Sequence, residues 1–135
     1  MIRLLYISTA RQPLSDHDLD GILRTSRRNN AAVEVTGLLI VGGRRFLQAL
    51  EGPDDAVLAT FARIRRDPRH FAIAELMRGP IEERAFGRWS MGTRRGGDAD
   101  DALTAATAVE ALIAPIEDAT LRAYFTGFAD LNLAA

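Results

Sequence analysis

The sequence contains no cysteine and no lysine. The first absence excludes disulfides, thiolate nucleophiles and cysteine-rich metal sites. The second makes all 17 basic residues arginine and excludes a lysine Schiff base. A marked excess of positive or negative charge is missing too. The formal net charge is -1, and neither end carries a basic tract, so direct nucleic-acid binding is not expected. Long apolar runs are absent as well. The start "MIRLLYISTA" is apolar for a few residues and turns polar at Ser8 and Arg11, which is short for the apolar core of a signal peptide. No segment approaches transmembrane length, and a cytoplasmic protein without membrane association is the expectation.

What is present suits one domain with one core: 135 residues, 47% of them hydrophobic and 26% charged. "IRLLYIS" reads as a first strand. "QPLSDHDLDGILRTSRRNN" reads as a turn and a helix, capped by Ser15, with Asp16 and Asp18 at its positive end and Asn29-Asn30 as its stop. Leu19, Ile22, Leu23 and Ser26 share one face. "VEVTGLLIVGGRRFLQALEG" predicts two strands joined at Gly42-Gly43. Pro53 then opens a helix with Val57, Leu58, Phe61 and Ile64 as its apolar stripe, stopped by Asp67-Pro68. "FAIAELM" and "FGRWSMG" predict fourth and fifth strands around a turn at Gly79-Pro80. Two amphipathic helices broken at Pro115 should follow. Leu103, Val109, Leu112 and Ile113 would form one apolar face, and Leu121, Tyr124, Phe125, Phe128 and Leu131 the other.

This order predicts an α+β fold, a ferredoxin-like βαββαββ unit with a mixed sheet and two helices on one face. The first and third strands are expected side by side and parallel at the centre. The two C-terminal helices are expected to cover the opposite face.

One residue interrupts the apolar pattern. Gln48 stands in the middle of "FLQALEG", where an unpartnered amide would cost a few kcal/mol, about 1–3 on mutational scales. Strand alternation puts Leu4, Tyr6 and Ser8 on one face and Phe46, Gln48 and Leu50 on another. If the central strands are neighbours, the Tyr6 hydroxyl can reach the Gln48 amide on the helix-covered side. On the pattern alone, two readings stand: a buried pair that only stabilises the core, or part of a ligand site.

The segments "LLYIS", "SRRNN", "TGLLI", "FLQALEG", "RIRRDPRH" and "RWSMG" occur in register, each on its expected element. Together, over residues 2 to 93, they resemble the BLUF family, blue-light sensors that use flavin. The resemblance implies a flavin held noncovalently between the two helices, FAD with FMN or riboflavin as alternatives. At the matching positions it implies that Asn30, supported by Asn29, bonds the pyrimidine end of the ring. Ile22 and Ile64 would clamp the ring faces, Arg63 and Asp67 would reach the ribityl chain or phosphates, and His70 would bond the carbonyl edge. Each also has an ordinary role: helix termination for Asn30, core packing for the isoleucines, solvation for Arg63.

The resemblance further implies that Tyr6 and Gln48 are the photochemical pair. Tyr6 would give an electron and a proton to the excited flavin, and Gln48 would relay the proton and rotate or tautomerise, shifting the absorption to the red. No bond to protein forms, in keeping with the absence of cysteine. Trp89 and Met91 share a strand face and would carry the signal outward, with Ser8 in support near Tyr6 or Trp89. The expected division is a photosensor over 1–95 and a helical extension over 96–135 that covers the sheet or transmits the signal. Such a short chain resembles stand-alone BLUF proteins, which are not enzymes and act through a separate effector protein or a homo-oligomer. A ferredoxin-like interaction module and a small flavin redox protein are the alternatives.

Overall fold

The computed structural model describes residues 1–87, 92–95, 111, 113–114 and 116–132. The elements run β1 (Ile2–Ala10), α1 (Asp16–Ala32), β2 (Thr36–Gly42), β3 (Arg45–Gly52), α2 (Asp54–Arg65), β4 (His70–Pro80), β5 (Gly92–Arg95) and α3 (Ala119–Asn132). The strands form one sheet in the order β4-β1-β3-β2-β5.

The fold is α+β, and the sheet is mixed because β5 pairs with β2 in parallel. β1 and β3 are central neighbours as expected, but they are antiparallel, not parallel. Connectivity dictates this. The β1–α1–β2 crossover leaves a gap one strand wide between β1 and β2. The β2–β3 hairpin reverses the chain and fills that gap, so β3 opposes both. The hairpin turns at Gly43 and Arg44, one residue beyond the expected Gly42-Gly43 because Gly42 still pairs with Arg45, and Gly43 takes the positive φ of 59° that such two-residue loops require.

Local signals explain the helices. Ser15 caps α1 through a capping box, accepting from the Asp18 amide while the Asp18 carboxylate accepts from the Ser15 amide. α1 does not stop at Asn29-Asn30; it runs two residues further to Ala32, and Glu34 then makes the turn into β2 with φ 61°. Pro53 stands just before α2, whose first turn carries Asp54 and Asp55 and whose last carries Arg63 and Arg65.

Both faces of the sheet are covered. Leu4, Tyr6, Leu39 and Leu50 pack with Leu19 and Leu23 of α1 and Val57 and Phe61 of α2. On the other face Leu5, Leu38, Ile40, Leu47 and Ala49 pack with Leu121, Phe125 and Phe128 of α3 and with Ile113 and Ile116. Leu58 and Leu131, expected on apolar stripes, are exposed instead.

Three further expectations need correction. Gly79 and Pro80 are not a turn: they pair with Arg3 and Ile2 at the end of β4. β4 is an edge strand, where a proline without an N–H is tolerated. Residues 86 and 87 are outside any strand, and Phe86 is buried edge-on against Phe125, ring centroids 5.8 Å apart. The fifth strand is Gly92–Arg95. Among the described residues one C-terminal helical element, α3, is found rather than two, although Ala111 and Ile113 are themselves helical; Leu103, Val109 and Leu112, assigned with Ile113 to the other, lie outside the described residues, as do Trp89 and Met91.

Candidate functional site

The site begins with a strand register. Tyr6 on β1 faces Gln48 on β3 directly, and both are buried. The Tyr6 hydroxyl donates to Gln48 Oε1. The phenol ring lies against Phe61 of α2, with ring centroids 5.2 Å apart and planes tilted 40°. Burial, and to a lesser degree the charge of Asp67, pushes the Tyr6 phenol well above its ordinary pKa, so it is a neutral donor at physiological pH.

A cavity of about 220 Å³ opens above this pair, between α1 and α2. Its walls include Ile22, Asn29 and Asn30 from α1, and Thr60, Arg63 and Ile64 from α2. Tyr6, Leu39, Phe46 and Gln48 form the sheet side, and Asp67, Arg69 and His70 come from the chain leaving α2. The same cavity therefore collects Ile22, Asn29, Asn30, Gln48, Arg63, Ile64, Asp67 and His70, which the sequence places on four different elements. Helical spacing explains part of this: Ile22, Ser26, Asn29 and Asn30 recur at three- and four-residue steps along α1.

Two groups are engaged otherwise than expected. Asp67 is held by Arg69, whose Nε donates to Oδ1 at 2.9 Å and whose amide donates to the same oxygen at 2.9 Å. These bonds draw the Asp67 carboxyl below its ordinary pKa. Both ring nitrogens of His70 have protein partners: Nδ1 lies 2.9 Å from Ser8 Oγ, and Nε2 lies 2.7 Å from the Ile64 carbonyl oxygen. Since that carbonyl can only accept, Nε2 carries the proton and a neutral ring leaves Nδ1 to accept from Ser8. Ser8 thus supports His70.

Thr60, Phe46, Leu39 and Arg69 were not anticipated at the cavity. Thr60 carried a legible signal, lying one turn before Ile64 on the same helix face. Arg69 carried none beyond its place in an arginine-rich segment.

A ferredoxin-like domain with a ligand cavity between its helices and a buried phenol–amide pair at the floor is a small-molecule-binding module. Comparison with known proteins gives its family. Residues 1–92 match the BLUF family, described as sensors of blue-light using FAD, and the chain belongs to that family. Over 89 residues, 65% of this chain and 10% of the relative, it is 43% identical to the photoactivated adenylate cyclase subunit beta of Euglena longa. The chain thus corresponds to about a tenth of the length of that curated relative.

Two solved structures extend the likeness to nearly the whole chain. The dark-state structure of the BLUF protein BlrB superposes with a TM-score of 0.74 at 27% identity, covering 96% of both chains. Klebsiella pneumoniae BlrP1, solved with FMN and cyclic diGMP, gives a TM-score of 0.80 at 28% identity over 96% of this chain and 34% of that one.

The residues present fit a flavin ring. Isoleucine side chains from two helices, Ile22 and Ile64, suit flat apolar ring faces, while the buried amides of Asn30 and Gln48 offer the paired donor and acceptor that an imide edge requires. Among the described residues no helix is long and apolar enough to cross a membrane, and no cluster of metal-ligating side chains is found.

Proposed function

We propose that the protein is a blue-light receptor whose switch is the Tyr6–Gln48 pair, without an enzymatic activity of its own. The observation that supports it most directly is the hydrogen bond from the buried Tyr6 hydroxyl to Gln48 Oε1 on the wall of the cavity. Bound flavin supplies a visible chromophore and, when excited, a strong oxidant. Asn30 and Asn29 bind its polar edge, Ile22 and Ile64 hold its faces, and Arg63, with Asp67 beside it, reaches the ribityl and phosphate tail. His70, fixed between Ser8 and Ile64, holds the cavity wall in place.

Tyr6 is placed to lose an electron together with its hydroxyl proton, because that proton already points at Gln48 Oε1. The proton passes to Gln48 Oε1. Electron and proton then return to Tyr6, so the protein suffers no net oxidation. What changes is Gln48, which ends rotated or tautomerised and presents a different hydrogen-bonding group to the cavity. Phe61 and the surrounding apolar side chains exclude water, which would otherwise offer the proton a competing path.

Residues 1–95 act as the sensor and 96–135 as the extension that receives the change, with Trp89 and Met91 of the sensor carrying it outward. The output passes to a separate protein effector or through a homo-oligomer. The test is the light-minus-dark absorption spectrum of the flavin-loaded protein. A reversible red shift under blue light is expected. A flavin that only bleaches, and only with added reductant, would refute the reading.

A further inference from the structure

Three register steps from Tyr6 and Gln48, the same two strands oppose a second polar pair, Arg3 and Glu51. Because side chains alternate, this pair points to the other face of the sheet, the one covered by α3. Glu51 is fully buried. Its carboxylate accepts from Arg3 Nε at 2.8 Å, from the Ala85 amide at 3.0 Å and from the Phe86 amide at 2.7 Å. Its carbonyl oxygen accepts from Arg84 at 3.3 Å, and the same guanidinium nitrogen donates to Thr36 Oγ1 at 2.9 Å.

The network continues into α3. Arg3 lies 3.9 Å from the Asp118 carboxylate, and the other Asp118 oxygen accepts from the Leu121 amide, capping that helix. One buried carboxylate thus ties the strand that carries Gln48 to the 84–86 segment and, through Arg3 and Asp118, to the start of α3.

A buried ion pair adds little to stability compared with a well-packed apolar substitute, whereas breaking one is costly. A carboxylate bonded to one guanidinium and two backbone amides is a rigid joint. A displacement of β3 at Gln48 is passed on at Glu51, because letting go would leave a buried charge unpaired. We propose that Glu51 is a positioning residue, the joint through which a change at Gln48 moves the 84–86 segment and α3. This rests on the photoreceptor reading above.

The test uses amide hydrogen exchange on the flavin-loaded chain, dark and lit, with the absorption spectrum taken on the same samples. Glu51→Gln keeps the side chain's size but removes its charge. In the dark it should speed exchange at Ala85 and Phe86 by about tenfold. The red shift should stay, while the light-induced change in exchange over residues 116–132 falls below about half that of the parent. Asp118→Asn retains a capping oxygen and loses the pairing with Arg3. It should leave Ala85 and Phe86 protected and still reduce the light-induced change in α3, and it decides the matter if Glu51→Gln does not fold.

A parent-sized light response over 116–132 in both variants would overturn the proposal. So would a parent protein that shows the red shift without any response there. A parent without a red shift refutes the photoreceptor reading instead. In that case unchanged dark exchange at Ala85 and Phe86 in Glu51→Gln refutes the joint separately.

Discussion

Tyr6 and Gln48 are opposed residues of adjacent antiparallel strands, and the hydroxyl of one donates to the amide oxygen of the other inside the core. This geometry gives the phenol a path for its proton. Tyr6→Phe keeps the ring and its packing on Phe61 and removes that path. Flavin should remain bound, and the reversible red shift should be lost; Gln48→Leu should lose it too. The difference spectra of both variants at equal flavin loading check this, and a full shift in both would remove the pair as the switch.

The raised pKa of Tyr6 makes a separate claim. The folded phenol stays protonated where a free one ionises, near pH 10. Its contribution to stability is therefore complete below about pH 10 and is lost as pH rises beyond that towards the folded value. In an ultraviolet titration carried to about pH 11, the folded parent and Tyr6→Phe should give phenolate steps of the same size, because Tyr6 adds nothing to the signal there. A step that shrinks in the variant would show that Tyr6 ionises in the fold.

Asn30 is buried in the last turn of α1, and its backbone carbonyl, not its side chain, accepts the Val35 amide at 2.9 Å. Asn30→Ala leaves that turn bond in place. It should weaken flavin retention by roughly 10- to 100-fold, the effect of losing one or two buried hydrogen bonds. Flavin release followed by fluorescence on dilution measures this, and heat-denatured parent should release its flavin entirely.

Asp67 is held in its charged form chiefly by the hydrogen bonds from Arg69. A lowered folded pKa means stabilisation that is present above the ordinary aspartate value and disappears as pH falls through the folded one. Arg69→Gln should therefore lower stability slightly at neutral pH, and its difference from the parent should vanish as pH falls through the folded Asp67 value. The half-exposed pair makes the neutral-pH effect small. Acid titrations of both proteins by circular dichroism provide the comparison.

Gly42 ends β2 where α3 closes on the sheet. A Cβ there would lie 2.6 Å from Asn132 Cβ and 2.7 Å from its carbonyl oxygen, contacts that real side chains do not make. Gly42→Ala should push the end of α3 outward and cost about 1–3 kcal/mol, the usual range for overpacking. The same exchange at Gly21, where nothing lies within 4 Å, should be neutral or stabilising. Denaturant melts of the two variants make the contrast.

The order of elements, the Ser15 cap, the Gly43 turn and the apolar stripes were legible because each is a local signal, set by chain geometry over a few residues. Gln48 was legible for the opposite reason: it breaks a local pattern, and a buried amide demands a partner. The registered segments named the family before any contact was visible. Strand direction was not legible in the same way. That β3 opposes β1 follows from how a crossover and a hairpin share one sheet, a property of the whole topology. Leu58 and Leu131 show the limit of periodicity, since a helical stripe is wider than the surface it meets. Arg3 and Glu51 also break apolar runs, as Gln48 does, and besides each other they find partners at Ala85, Phe86 and Asp118 that no local pattern marks. Sequence determined which residues needed a partner; only the closed sheet decided who the partner was, because burial and charge pairing depend on distances that the chain acquires on folding.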